Sequence, residues 1–351
     1  MKIVYNICWS DSMNIYGLTY EDLENLFLEI GSKKFHGNQL FSWLYEKRIQ
    51  SYDEVTNIKK ELISEVSSKY SIDRLKIVSV EKDIDVCKYL FELSDGEHIE
   101  AVLMRHDYGN SVCVSSQVGC NMGCRFCESG RRKKVRNLET YEMVLQILEI
   151  EEELGERISH VVVMGIGEPF DNYDNLIKFF KIINHPKGLA IGARHITVST
   201  CGLVPKIKEF SELDMQVNLA ISLHAPNNEI RNNLMPINKA YPLEVLIPCL
   251  KDYIKKTNRR LTFEYILLKD INDTVECAEE LSKLVKGMNC YINLIPYNET
   301  NNLNFMRSNT VQIMRFYDIL KKNRVNVTIR REFGSKISAA CGQLRSKKEG
   351  V

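Results

Sequence analysis

Apolar positions in the first seventy residues recur at helical spacing. In "LTYEDLENLFLEIG" (18–31), Leu23, Leu26, Phe27 and Ile30 share one helical face, and Gly31 follows as a stop. Thr19 is suited to cap that helix, and Glu21 and Asp22 put acids in its first turn, where the helix dipole favours them. A second stretch, "GNQLFSWLYEKRI" (37–49), sets Leu40, Trp43 and Leu44 on one face, and a third runs through "KKELISEVSSKY". From about 74 to 105 the spacing shifts to alternation, and "KYLFELSDGEHIEAVLM" reads as two short strands around a turn at "SDGE".

Beyond residue 110 short apolar runs alternate with amphipathic stretches. The runs "SVCVSSQ", "HVVVMGIG", "HITVSTCG", "VNLAISLHA", "LTFEYILL" and "YINLIPYN" predict strands, with helices such as "TYEMVLQILEIEEELG", "YDNLIKFFKIINH" and "TVECAEELSKLVKG" between them. Such β/α alternation is the pattern of an α/β fold with a parallel sheet, doubly wound or curled into a partial barrel. Either architecture collects ligands at the carboxyl ends of its strands. Polar and glycine-rich letters gather at those ends: "MGIGEPF", "STCG", "SLHAP" and "PYN". The pattern divides the chain into an N-terminal helical module with a β extension (1–105) and an α/β core (106–351).

Composition narrows the setting. The chain of 351 residues is 44% hydrophobic, enough to bury a sizeable core. No apolar run approaches the roughly 20 residues of a membrane span. The start, "MKIV", opens no signal-peptide pattern, so a cytoplasmic protein without membrane contact is expected. A net charge of +1 identifies no partner, but "RRKKVR" (131–136), "KKTNRR" (255–260) and "RSKK" (345–348) are each suited to phosphates or to a solvated surface.

The sharpest chemical signal is "CVSSQVGCNMGCRFCESG" (113–130). In a reducing compartment, cysteines are core residues, metal ligands or catalytic thiols. Cys120, Cys124 and Cys127 offer three thiolates to a centre left one ligand short, as an iron-sulfur cluster is when one iron must accept a substrate. The competing reading is zinc with Cys113 as a fourth ligand, though no second paired knuckle lies nearby.

The C-x3-C-x2-C spacing with Phe126 before the last cysteine resembles the signature of radical S-adenosylmethionine (SAM) enzymes. With "MGIGEPFDNYDNL", "LAISLHAPNNEIRNNLMPINKAYPLE", "INLIPYN" and "AACGQL", the chain from about 18 to 344 resembles the RlmN/Cfr family of adenine methyltransferases. The resemblance implies a partial (β/α)6 radical SAM barrel, a helical N-terminal accessory domain that binds RNA, a [4Fe-4S] cluster on Cys120, Cys124 and Cys127, and two SAM molecules per turnover. Its reaction is methylation of an sp2 carbon of adenine. One SAM methylates a cysteine, matched here by Cys341, and a radical made from the second activates that methyl group for addition to the ring. A base matched by Glu100 takes the ring proton, and Cys113, matching the resolving cysteine, forms a disulfide with Cys341 to free the RNA.

Gly167, Glu168, Ser199, Ser222, Leu223, His224 and Asn298 match the SAM-contacting positions. The resemblance also implies 23S ribosomal RNA, and possibly tRNA, as substrate, and an electron donor such as flavodoxin or ferredoxin. Carbon 2 is the expected position because "GEPFDNYDNL" follows that branch, with carbon 8 as the alternative. A non-catalytic RNA-binding protein stabilised by metal is the reading from another class.

Read without the resemblance, the same residues are plainer. Cys341 is a small buried hydrophobe, Cys113 an inward strand residue, Glu100 an exposed strand carboxylate and His224 a satisfied polar residue. Three stretches depart from the family pattern: Glu128 and Ser129 after the last cluster cysteine, Lys336 and Ser338 before Cys341, and "RREFG".

Overall fold

The computed structural model describes residues 13–300, 302–330, 339 and 342–344. The N-terminal module is built from α1 (Tyr20–Glu29), α2 (Lys34–Ser42) and α3 (Lys60–Lys69). Thr19 caps α1 as expected: the Asp22 amide donates to its hydroxyl at 3.1 Å, and the Thr19 amide donates to the Asp22 carboxylate at 3.0 Å. Helix α2 starts earlier than its apolar spacing suggested and runs on as a wider turn, Trp43–Lys47, ended by Arg48 in the left-handed conformation. Gly37 is where α2 meets α1, since a Cβ there would lie 2.6 Å from the Leu23 carbonyl oxygen.

Ten strands then form one sheet in strict chain order: β1 (Lys76–Asp83), β2 (Val86–Glu92), β3 (His98–His106), β4 (Gly109–Cys113), β5 (Ile158–Val163), β6 (Ile196–Thr200), β7 (Asn218–Ser222), β8 (Leu261–Leu267), β9 (Cys290–Pro296) and β10 (Val327–Ile329). Strands β1 to β4 are antiparallel, and every pair from β4 to β10 is parallel. Helices α4 (Thr140–Leu154), α5 (Tyr173–Asn184), α6 (Val204–Phe210), α7 (Asn228–Leu234), α8 (Leu243–Thr257), α9 (Val275–Leu284) and α10 (Thr310–Lys322) fill the connections.

The sheet is curled. Met104 of β3, Ser111 of β4, Thr197 of β6, Thr262 of β8, Asn293 of β9 and Thr328 of β10 line one cavity, which only a sheet wrapped around it permits. Among the described residues its two edge strands, β1 and β10, do not pair, so the barrel is partial, as expected.

Two strands escaped the sequence pattern. Strand β1 has mostly half-exposed residues and lacks clean alternation, and β10 is only three residues long. The division expected after residue 105 falls in the β3–β4 hairpin, so the β extension and the barrel share one sheet. The helical module is bound to it as well. Its Leu23, Phe27 and Phe41 belong to the same buried core as Val144, Phe180 and Leu294, and Tyr20 stacks on His185 at 4.2 Å.

Candidate active site at the strand ends

The stretch after β4 leaves the sheet at Cys113 and forms a loop pinned at its base. Gln117–Val118 pairs antiparallel with Arg136–Asn137, and the Cys120 amide donates to the Arg132 carbonyl at 2.9 Å. Cys120, Cys124 and Cys127 line a solvent-open cleft of about 910 Å³ together with Gly167, Glu168, Ser199, Ser222 and His224. Eight of the expected site residues, from three strand ends and the loop, therefore converge on one space.

Glu168 is 3% exposed. Its Oε1 accepts from the Phe170 amide at 3.0 Å and its Oε2 from the Cys201 amide at 2.8 Å, which ties the β5 end to the β6 end. Burial pushes its pKa up, against the pull of those amides. Gly167 beside it has φ 109°, and a Cβ there would lie 2.6 Å from that of Gln117. Only glycine fits that turn.

His224 is buried in the left-handed conformation, φ 56°. Burial and the Arg231 charge lower its pKa to about 3, so the imidazole is neutral. Its Nδ1 accepts from the Ile266 amide at 3.1 Å, which leaves the proton on Nε2. The Ser199 and Ser222 hydroxyls are 3.2 Å apart. Leu223 and Asn298 do not line the cleft. Leu223 points into the core, while Asn298 is buried with its Oδ1 lacking a hydrogen-bond partner among the described residues.

Arg231, which sequence reasoning missed, organises these strand ends. Fully buried, it donates to the carbonyls of Cys201, Ser222 and Leu223 and to Asn238 Oδ1. Nothing in "NNEIRNNLM" separates it from a surface arginine, because its partners are backbone atoms distant in sequence. Glu264 was missed for the same reason. It lies in the middle of β8, where "LTFEYILL" reads as plain strand, yet it lines both the cleft and the lumen below.

A second group lies on the adjoining antiparallel face. Cys113 is register partner to Val102, two residues along β3 from Glu100. Cys113 packs in one apolar cluster with Val102, Met104, Ile166, Ala339 and Leu344. Glu100 is 3% exposed, which corrects the exposed carboxylate its sequence context suggests. The Ser115 hydroxyl donates to the Glu100 carbonyl at 2.6 Å and accepts from the Ile166 amide at 2.9 Å, joining this strand to the glycine loop of the cleft. Cys341 lies outside the described residues, as do Lys336 and Ser338.

The basic stretch 131–136 is largely consumed by the protein itself. Arg132 pairs with Glu97, Lys134 with Asp171, and Arg136 with Asp95 and Glu142. In 255–260, Lys256 pairs with Glu212 and Arg259 donates to the Met215 and Val217 carbonyls.

A family model described as the radical SAM superfamily matches residues 114–285, and one described as the ribosomal RNA large subunit methyltransferase N-terminal domain matches 13–72. A probable dual-specificity RNA methyltransferase RlmN from Spiroplasma citri is 56% identical, over 96% of this chain and 99% of that protein. The chain belongs to the RlmN family. The same description is carried by an Enterococcus faecalis relative, 54% identical over 95% of this chain and 96% of its own length. The crystal structure of a radical SAM methyltransferase from Sphaerobacter thermophilus superposes with a TM-score of 0.90 at 40% identity, covering 95% of this chain and all of that one.

Members of this radical SAM family use a [4Fe-4S] cluster and SAM. The donor set here fits them. Cys120, Cys124 and Cys127 face one cleft, while Cys113 sits in a different apolar cluster, which fits three cluster ligands better than four zinc ligands. Burial pushes the Cys120 thiol up to about 12 and Cys124 well above the ordinary value, so these sulfurs ionise only beside added positive charge, which iron supplies. The Glu168 carboxylate, the two serine hydroxyls and the His224 Nε2–H put both acceptors and donors around the cleft.

Proposed function

We propose that this protein methylates carbon 2 of an adenine in 23S ribosomal RNA and in tRNA, through methylated Cys341 and a covalent protein–RNA adduct. The observation that carries the reading is the pairing of the cleft with the adjoining face, where Cys113 packs with Ala339 and Leu344 of the segment that contains Cys341 and stands across from Val102, two residues along β3 from Glu100. The relatives' description as dual-specificity RNA methyltransferases and the match of residues 13–72 to a ribosomal RNA large subunit methyltransferase domain support an RNA substrate of more than one kind, and "GEPFDNYDNL" favours carbon 2 over carbon 8.

Cys120, Cys124 and Cys127 would hold the cluster. Glu168 and Gly167 would receive the amino end of SAM, with Ser199, Ser222, Leu223, His224 and Asn298 around the rest of it. When bound, the cluster and SAM would supply a carbon radical able to take a hydrogen atom from the Cys341 methyl group, leaving a methylene radical. The methylene radical so formed adds to the ring carbon, making the C–C bond, and Glu100 then accepts the proton of that carbon while the unpaired electron left in the ring would return to the cluster. The Cys113 thiolate attacks the Cys341 sulfur, an S–S bond forms as the C–S bond breaks, and the released electron pair takes a proton to complete the methyl group. Residues 1–105 serve as the RNA-binding part and 106–351 as the catalytic part. The protein works in the cytoplasm with a flavodoxin or ferredoxin as electron donor.

Mass spectrometry of ribosomal RNA and tRNA from a deletion strain, before and after complementation, tests this reading. Restoration of 2-methyladenine in both RNAs is expected. Restoration of 8-methyladenine instead would overturn the carbon 2 assignment.

A further inference from the structure

Lys88 on β2 is a buried lysine that the reading above does not use. It is 9% exposed and stands directly across from Val102, which in turn stands across from Cys113. A buried ammonium is retained only with a compensating charge. Glu81, across on β1 near the rim, meets that need: its carboxylate is 2.6 Å from the Lys88 Nζ. Yet the same Nζ also reaches Glu100 Oε1 at 3.6 Å, and the Glu100 side chain is only 4% exposed. Lys88 therefore sits between a rim carboxylate that anchors it and an interior carboxylate that it holds. Leu90, not Lys88, is the register partner of Glu100, so the contact runs diagonally across the face and draws the carboxylate toward the Val102 and Cys113 row.

We propose that Lys88 is a positioning residue for proton removal: its ammonium, tethered by Glu81, fixes the Glu100 carboxylate on the face that carries Cys113. The proposal rests on the reading of Glu100 as the proton acceptor. In that step the proton passes from the ring carbon to a Glu100 oxygen, the C–H electron pair stays in the ring, and the unpaired electron left by radical addition would return to the cluster. Lys88 takes no part in making the radical, because it does not line the cleft.

The test uses the full chain with its cluster reconstituted anaerobically, SAM, a reductant and transcribed tRNA. It follows three quantities: 5′-deoxyadenosine, covalent protein–RNA adduct and released product. Lys88→Met keeps the stem and removes the charge. It should form 5′-deoxyadenosine at the wild-type rate while the adduct resolves about tenfold to a hundredfold more slowly. Lys88→Arg should restore most of that rate, and Lys88→Met added to Glu100→Gln should slow resolution no further. Equal slowing of all three quantities in Lys88→Met, or additive slowing in the double variant, would overturn the proposal. Should Lys88→Met not fold, Lys88→Gln carries the same comparison. If Glu100→Gln itself resolves its adduct normally, the assignment of Glu100 fails, an outcome separate from any result at Lys88.

Discussion

Cys113 and Cys124 lie on one short stretch of chain in unlike surroundings. Cys113 ends a strand and packs among Val102, Met104 and Ile166, on a face shared with a buried carboxylate and the C-terminal segment. Cys124 sits on a loop at the mouth of the barrel, beside Cys120, Cys127, Glu168 and His224. The first setting suits a thiol that meets another sulfur, and the second suits a ligand to a charged centre. The two regions are also tied together. The Glu128 amide donates to the Gly342 carbonyl at 2.8 Å and the Ser129 hydroxyl to the Leu344 carbonyl at 2.7 Å, so the residues that depart from the family pattern tie the cluster loop to the C-terminal segment.

The largest expected effect is on the loop side. Cys124→Ala should abolish both the charge-transfer absorption of the reconstituted protein and all 5′-deoxyadenosine formation, and a brown, radical-forming variant would break the division between the two thiol settings. Next comes Glu168→Gln, which keeps the shape but removes the charge proposed to face a SAM ammonium and sets an NH2 donor against one of the two backbone amides, Phe170 or Cys201, that Glu168 accepts from. A charged hydrogen bond is worth about 1.5–3 kcal/mol, so SAM affinity measured by calorimetry should fall about tenfold to a hundredfold. Unchanged affinity would move SAM's amino group elsewhere.

Arg231→Met sharpens the comparison by affecting the loop-side cleft through the fold alone. Removing the guanidinium leaves buried carbonyls at Cys201, Ser222 and Leu223 without their donor, at a cost of about 3–5 kcal/mol. The expected result is a fall in the thermal midpoint with little change in the resolution of any adduct still formed.

The smallest effect concerns the base of the loop. Burial pushes Asp95 and Asp171 up, but the hydrogen bonds from Arg136 and from Lys134 and Gln117 outweigh it, and both carboxyls end below their ordinary value. A depressed carboxyl contributes stability above its unfolded pKa and loses it as pH falls through the folded one. The contribution of these two carboxyls is therefore constant above about pH 5 and lost below about pH 4, so the acid-side decline in denaturant midpoint should be smaller in Asp171→Asn.

The helices, six parallel strands and the cleft were legible because each rests on local signals: apolar spacing, a capping threonine, glycines at strand ends and the cysteine spacing. What escaped rests on distance in sequence. Arg231 and Glu264 take their meaning from partners on other strands, β1 from the sheet it edges, and Lys88 from two carboxylates on neighbouring strands. The basic stretch 131–136 was ambiguous in sequence because the acids that pair with it, Glu97, Asp95 and Asp171, lie on other segments.

The central claim is that Cys113 belongs to product release and not to the cluster. The direct measurement is iron content, 5′-deoxyadenosine and protein–RNA adduct in anaerobically reconstituted Cys113→Ala. The account predicts a full complement of iron, radical formation, and an adduct that accumulates and disappears when Cys341→Ala is added. Loss of iron from Cys113→Ala, or turnover to free methylated RNA without an adduct, would contradict it.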